Sequence, residues 1–394
     1  MRSRDTVVIG AGPAGLAVGA TLRSRGVDSV IVDRADAVGA SWRGHYDRLH
    51  LHTVRWLSHL PGYRFSRRHG RWVSRDGVVR YLEGYARHHE LELMLGTAVE
   101  RVDRLPGGGF AVRTGAGDLR ARHVVVATGY NNTPLMPDWP GREGFSGELV
   151  HAARYRNAEP FAGRDVLVVG AGNTGAEIAV DLVEGGARRV RMAIRTPPHV
   201  VLRESNGLPT QATGVVMRRV PTWIGDPIAR LVGRLTVGDL TRYGMPKPVG
   251  GLYTRAIEEH SIPIIDVGLI DCLREGKVEV VGAVEGFDGP DVLLAGGERI
   301  APDAVIVATG WKRALEPLVG HLGVLSDTGR PSAHGGDTPP EARGLYFTGF
   351  VNPVSGMFRE IGIDARRIAR AIARDPGPVP EAAAGPAPPT AAAA

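Results

Sequence analysis

The sequence predicts an α/β fold made of two Rossmann-like dinucleotide-binding domains, each carrying a β-meander. Three observations predict it. A strand, a G-x-G-x-x-G loop and a helix occur twice in that order, a meander follows each, and a buried strand ending in Ala-Thr-Gly closes each copy. At 394 residues the chain also exceeds the roughly 250 to 300 at which a single hydrophobic core stops growing.

The first copy opens with the strand "DTVVIG", the loop Gly10, Gly12, Gly15 and a helix expected from Pro13 to Ser24. In such loops the first glycine permits the tight turn, the second lets a pyrophosphate approach the backbone, and the third lets helix pack on strand. The helix N-terminus then offers amide donors and partial positive charge to phosphates. The strand "SVIVD" follows and ends at Asp33, a carboxylate placed to accept hydrogen bonds from ribose hydroxyls. Alternating strands then form the meander, joined by a turn at Gly107 to Gly109, and "HVVVATGY" is the buried closing strand.

The second copy opens with "DVLVVG", the loop Gly170, Gly172, Gly175, a helix ending near Gly185 and Gly186, and the strand "RVRMAIR". That strand ends at Arg195 rather than at an acid. A carboxylate there would repel a 2′-phosphate, whereas a guanidinium grips one, so the position favours NADPH over NADH; the alternative is an exposed surface charge. The meander and "AVIVATGW" complete the copy. The two triplets, Ala127, Thr128, Gly129 and Ala308, Thr309, Gly310, suit chain crossings beside bound nucleotides because small residues allow close backbone approach. An insertion at 199–260 has helical apolar spacing at Ile224, Ile228, Leu231 and Leu235, and either packs on the second domain or shapes a substrate entrance.

Composition narrows the function classes. Apolar residues make up 43% and charged residues 23%, the balance of a soluble globular protein. No apolar run approaches the ~20 residues of a membrane span. The formal charge is +6, but its 48 basic and 42 acidic residues are interspersed, which argues against nucleic acid as a partner. Cys272 is the only cysteine, so a redox pair, an intramolecular disulfide and a cysteine zinc site are excluded; no metal-ligand cluster stands out, and the chain suits a reducing cytoplasm. The lone histidines His50, His52, His88 and His89 have plain readings as core or surface residues.

Between the two copies lies "FSGELVHAARYRN", with Phe145, Gly147, His151 and Tyr155 in the pattern F-x-G-x-x-x-H-x-x-x-Y. Taken with the two glycine loops and the closing "ATGW", this order resembles the class B flavin-containing monooxygenases over about residues 5–373. Within them it is most similar to YUCCA-type enzymes and their bacterial relatives, through "YDRLHLHT", "RTPPHVVLRE", "LTVGDLTRYGMPKP", "IPIIDVG" and "GLYFTGF".

The resemblance implies a flavoprotein of the type with two dinucleotide-binding domains. It places FAD in the first domain (1–155 with 312–374) and NADPH in the second (156–311), while the Pro/Ala-rich composition of 375–394 predicts a disordered tail. It implies a C4a-(hydro)peroxide formed from O2 and transfer of one oxygen to a small organic substrate, by N- or S-oxygenation, by ring insertion or by decarboxylation of a 2-oxo acid such as indole-3-pyruvate. The expected cofactor residues are Gly10, Gly12, Pro13, Ala14, Gly15, Asp33, Arg34, Trp42, His52, the first triplet and Gly349 for FAD. For NADPH they are Gly170, Gly172, Asn173, Thr174, Gly175, Arg195 and the second triplet. His52, Thr53, His151 and Tyr155 are the expected catalytic residues, with Thr53 offering a hydroxyl near the flavin and the last two organising the meeting of the domains. Phe350, Val351 and Asn352 are expected to close over the flavin, and Arg359 faces either pocket or solvent. Tyr155 stands where ketone-oxygenating relatives tend to carry tryptophan, which leans away from ring insertion. An NADPH-dependent electron-transfer reductase and a nucleotide sensor are the competing readings, and a homo-oligomer is left open.

Overall fold

The computed structural model describes residues 2–217, 219–259 and 261–375, so the expected tail falls, apart from Asp375, outside the described residues. The first unit contains β1 (Arg2–Ile9), α1 (Pro13–Arg23), β2 (Ser29–Val32), the short α2 (Ala40–Arg43), α3 (Arg75–His88), β3 (Leu93–Met94) and the meander β4 (Val99–Arg104), β5 (Phe110–Thr114) and β6 (Leu119–Val126). Its strands lie in the order β3-β2-β1-β6-β5-β4. Strand β6 is shared along its length: Leu119 to Ala121 pair antiparallel with β5, and Val124 to Val126 pair parallel with a strand from the far end of the chain. Ser74 caps α3, accepting from the Gly77 N–H at 3.2 Å.

The chain crosses to the second unit through β7 (Thr133–Pro134). There, β8 (Glu148–His151), β9 (Asp165–Val169), α4 (Asn173–Glu184) and β10 (Arg189–Ala193) are followed by the insertion. The insertion holds β11 (Val200–Leu202), a small hairpin of β12 (Glu204–Ser205) and β13 (Leu208–Pro209), α5 (Thr210–Met217), α6 (Thr222–Thr236) and α7 (Leu252–Ile257). Next come β14 (Ile264–Asp266), α8 (Leu269–Arg274), β15 (Val278–Val281), the meander β16 (Val284–Asp288), β17 (Asp291–Leu294) and β18 (Arg299–Ile300), and the closing strand β19 (Ala304–Val307). The five-stranded sheet β15-β10-β9-β19-β8 is parallel throughout. Strand β20 (Trp311–Lys312) pairs antiparallel with β7, so the outward and return crossings are joined. Helix α9 (Glu316–Val319), β21 (Leu345–Phe347) beside β6 and α10 (Met357–Arg374) return the chain to the first unit.

The expected boundary at 155 lies too late. Strand β8 already belongs to the second sheet through its pairing with β19, and Phe145 packs on Phe287 of the second meander with ring centroids 5.1 Å apart. A side chain on Gly147 would enter the Phe145 ring, which explains that glycine by packing alone.

The insertion has several surroundings: Val237, Leu240 and Met245 join the core of the second unit, and Ile228 and Val232 border a cavity. Helix α6 forms where the spacing places it, but its apolar stripe faces outward: Ile228 is 48% exposed, Leu231 59% and Leu235 79%. Helix α5 packs on the first unit rather than the second. Buried Gln211 accepts from the Val54 N–H at 2.8 Å and donates to the Ser355 carbonyl at 2.9 Å, tying two distant parts of the first unit together. Gly214 presses against Val354, where a Cβ would lie 2.5 Å from the carbonyl oxygen.

Candidate active site

Each glycine loop is held by the same backbone bonds. The Gly10 N–H donates to Val32 O at 2.8 Å and the Ala127 N–H to Ile9 O at 2.8 Å; in the second copy Gly170 bonds Ala193 O at 3.1 Å and Ala308 bonds Val169 O at 2.8 Å. Gly10 and Gly170 have φ of +113° and +123°, and a Cβ on either would come within 2.6 Å or 2.5 Å of the carbonyl oxygen of Ala127 or Ala308. The triplets therefore touch the loops directly, one pair in each unit. Gly15 and Gly175 lie under the loops, where a Cβ would overlap the Gly10 or Gly170 carbonyl.

The second glycine of each loop is different. Nothing lies within 4 Å of a Cβ built on Gly12 or Gly172, and these residues begin α1 and α4 without a side-chain cap. The first-turn amides are consequently free to receive an anion. Buried Thr128 Oγ1 has no hydrogen-bond partner, so a polar atom on the wall of the first loop also awaits a ligand. Asp33 accepts from the Ala11 N–H at 2.5 Å and the Ala35 N–H at 2.8 Å; each oxygen keeps lone-pair capacity for a hydroxyl. These features fit a dinucleotide in each unit.

One continuous cavity of about 2160 Å³ joins the two loops and runs under the insertion. Gly10, Gly12, Pro13, Ala14, Asp33 and Arg34 line it, as do Trp42, His52, Thr53, the first triplet and Gly349. From the second unit Asn173 and Thr174 reach it. Gly15, Gly170, Gly172, Gly175, Arg195 and the second triplet lie outside its wall; Gly15 and Gly175 sit beneath their loops, whereas Gly172 is exposed. Asn173 is spent on structure: its amide donates to Pro263 O at 3.2 Å and accepts from the Ile265 N–H at 2.7 Å, fixing β14 to α4. Thr309 likewise donates to Leu135 O at 2.5 Å. Asn352 lines the cavity, Phe350 is buried beside Phe347, Val351 is exposed, and Arg359 pairs with Glu360.

Two of the expected site residues, Tyr155 and His151, lie away from the cavity wall. Tyr155 is 2% exposed, donates its hydroxyl to Asp181 at 2.6 Å and stacks on Phe161; burial, then Asp181, pushes its pKa far up. His151 accepts from the Ala153 N–H at 3.0 Å through Nδ1, so Nε2 carries the proton and donates to Gly310 O at 3.1 Å. Burial pushes the His151 pKa below its ordinary value, which keeps the ring neutral. Neither side chain lines the cavity; both are buried with their polar atoms satisfied. Thr53 does line it, but Ser58 donates to Val54 O at 2.8 Å, so the Thr53 hydroxyl proton goes to Ser58 Oγ at 2.8 Å and only its lone pairs remain.

The stretch "YDRLHLHT" proves to be the seam between the units. Backbone Asp47 N–H donates to Arg156 O at 2.8 Å, Arg48 pairs with Glu184 at 2.9 Å, and Asn157 donates to Asp47 at 2.9 Å. His52 bonds Glu177 on α4, whose side chain is 3% exposed. Buried Tyr46 lies near Glu177, and burial followed by that carboxylate raises its pKa well above normal. Glu177 is a site residue the sequence reading missed. An acid one turn into a helix reading "AEIAV" was the available signal, since an acid amid buried apolar residues needs partners. Of the remaining histidines, His50 donates through Nδ1 to Arg48 O at 2.7 Å, His88 is exposed, and His89 packs on Tyr85.

Comparison with known proteins agrees with this geometry. The profile of the family described as pyridine nucleotide-disulphide oxidoreductase matches residues 7–205. Indole-3-pyruvate monooxygenase YUCCA1 of Oryza sativa subsp. japonica is 36% identical over 310 residues, covering 78% of this chain and 76% of the relative. Probable indole-3-pyruvate monooxygenase YUCCA3 of Arabidopsis thaliana is 32% identical over 380 residues, covering 93% and 86%. The chain belongs to the class B flavin-containing monooxygenases. Among solved structures, the flavin-containing monooxygenase from Stenotrophomonas maltophilia superimposes with a TM-score of 0.71 at 25% identity, covering 94% of this chain and 99% of that one. Cyclohexanone monooxygenase in its open form shares the fold, with a TM-score of 0.72 at 20% identity over 95% of this chain and 88% of that one. The chain is accordingly an NADPH-dependent flavin monooxygenase whose cofactors are FAD and NADPH. Disulfide chemistry is outside its reach, since Cys272 is its only cysteine, buried with its thiol pKa pushed up by burial. Among the described residues no helix is long and apolar enough to cross a membrane.

Proposed function

We propose that the enzyme oxidatively decarboxylates a 2-oxo acid of the indole-3-pyruvate type. The observation that carries this reading is similarity to named indole-3-pyruvate monooxygenases along most of the chain, at 32% identity over 93% of it for the Arabidopsis relative. FAD would lie along the Gly10 loop with its ribose at Asp33 and its ring toward Trp42, Leu51, His52 and Thr53. NADPH would lie along the Gly172 loop. The bound flavin, reduced by NADPH, supplies the activated oxygen; the protein supplies position, dryness and proton control. Incubation with NADPH, isotopically labelled O2 and indole-3-pyruvate should release CO2 and place one labelled oxygen in the organic product. NADPH consumption without label in any product would overturn the oxygenase reading for this substrate.

Arg195 is the proposed grip on the 2′-phosphate. It is exposed at the end of β10, with no hydrogen bond or ion pair among the described residues. Arg195→Glu is expected to raise the KM for NADPH about 10- to 100-fold, the size of a lost charge-assisted bond, while NADH changes little. Equal effects on both nucleotides, measured by steady-state oxidation, would return Arg195 to the surface.

His151 is proposed to hold the second crossing in place through Gly310 rather than to transfer protons. His151→Ala should retain FAD yet release more hydrogen peroxide per NADPH consumed, because the nucleotide would sit less firmly against the flavin. A peroxide yield equal to wild type would make the histidine an ordinary core residue.

A further inference from the structure

Arg203 is the half-buried arginine of the cavity wall. It follows β11, whose parallel pairing with β14 fixes the strand, and its carbonyl accepts from the Thr210 N–H at 3.0 Å, which pins the backbone. Its guanidinium carbon lies 4.5 Å from the centroid of the Trp72 ring. Stacking of this kind holds the side chain while leaving the in-plane N–H groups free.

The acids around Arg203 are already engaged. Neighbouring Glu204 pairs with Arg71 at 3.2 Å, Glu177 holds His52 and lies near Tyr46, and Asp266 accepts from the Ile270 N–H at 3.0 Å. Among the described residues Arg203 itself has no side-chain hydrogen bond or ion pair. Burial lowers its pKa from the ordinary arginine value, with Glu177, Glu204 and Asp266 opposing at longer range. The other cations on the cavity wall, Arg34, Arg230, Arg234 and Lys247, are exposed, whereas Arg203 is half-buried. A half-buried guanidinium that lacks a counter-ion is costly unless an anion joins it, and a carboxylate matches its planar fork with two parallel bonds.

Resting on the 2-oxo acid reading above, the geometry points to Arg203 as the anchor for the substrate carboxylate, and so as the residue that selects acids over neutral substrates. The backbone bond from Thr210 sets the anchor one residue from Gln211, which accepts from the N–H of Val54, next to Thr53 on the cavity wall. Arg203 stays protonated throughout and moves no proton; its contribution is binding and orientation.

The test uses FAD-loaded enzyme with NADP+ present, as wild type, Arg203→Met and Arg203→Lys. Calorimetry measures binding of 3-indolepropionate, a carboxylate without the oxo group, and of its methyl ester. Wild type should hold the acid more tightly than the ester. Arg203→Met should weaken the acid about 10- to 100-fold and shift the ester far less, and Arg203→Lys should recover part of the loss. An unchanged preference for acid over ester in Arg203→Met would overturn the assignment. So would a matching fall in NADP+ affinity, which would give Arg203 to the nucleotide. Wild-type enzyme that prefers the acid but releases no CO2 from 2-oxo acids would retire the decarboxylation reading and keep the anchor; decarboxylation without any preference for the acid would do the reverse.

Discussion

Gly12→Val is expected to give a folded protein that purifies colourless, and Gly172→Val a yellow protein that scarcely oxidises NADPH. Both substitutions place a branched side chain where a Cβ meets no protein atom within 4 Å, so the fold itself has no reason to object. What they fill is the space in front of the uncapped N-termini of α1 and α4, where a pyrophosphate must come within hydrogen-bonding distance of backbone amides. Loss of that approach should raise the KM for NADPH in Gly172→Val by about 100-fold or more, the sum of two or so charge-assisted bonds. Gly15→Val makes the contrast, because its side chain would overlap the Gly10 carbonyl and the protein should fail to fold. Absorbance near the flavin bands and NADPH titrations read all three. Full flavin content in Gly12→Val would mean that the first loop does not carry the FAD.

Asp165→Asn should cost about 3–5 kcal/mol of stability, the cost of leaving a buried cation without its counter-charge. Arg191 and Asp165 meet in two parallel bonds of 2.9 Å, with side chains only 5% and 10% exposed. The pair joins the first residue of β9 to the middle of β10, the two strands whose far ends carry the Gly170 turn and Arg195. A neighbouring pair, Arg189 with Glu279 at 2.6 Å, is 48% and 43% exposed, and Glu279→Gln should therefore cost under about 1 kcal/mol. Replacing both buried partners, Asp165→Leu with Arg191→Met, should recover much of the single-mutant loss because no charge is then stranded. Denaturation followed separately by FAD release and by tryptophan fluorescence would distinguish the two units. Equal costs for Asp165→Asn and Glu279→Gln would show that water reaches the inner pair.

The glycine loops, the helices that follow them and both meanders were legible because each is written in a short contiguous stretch. Gly10, Gly12 and Gly15 differ in what surrounds them, yet each role follows from local backbone geometry that any strand-loop-helix unit imposes. The crossing was less legible. Phe145, Gly147, His151 and Tyr155 drew attention as a pattern, but a pattern cannot say whether a histidine faces a ligand or a carbonyl. In the fold His151 faces Gly310 and Tyr155 faces Asp181. Helix α6 shows the same limit from the other side: spacing predicts an amphipathic helix without saying that its apolar face meets solvent.

By itself, then, the sequence determined the class of fold, the two dinucleotide loops, the absence of cysteine redox chemistry and, through its motifs, the enzyme family. Tertiary structure decided which polar side chains are already satisfied. His52 met Glu177 across the seam, Gln211 reached Val54 and Ser355, and Arg203 was left beside Trp72 with no acid to spare. The physical reason is range. Backbone conformation and periodicity are set by neighbours within a turn or a strand, whereas the balance of buried charges and hydrogen bonds depends on partners brought together from more than a hundred residues away.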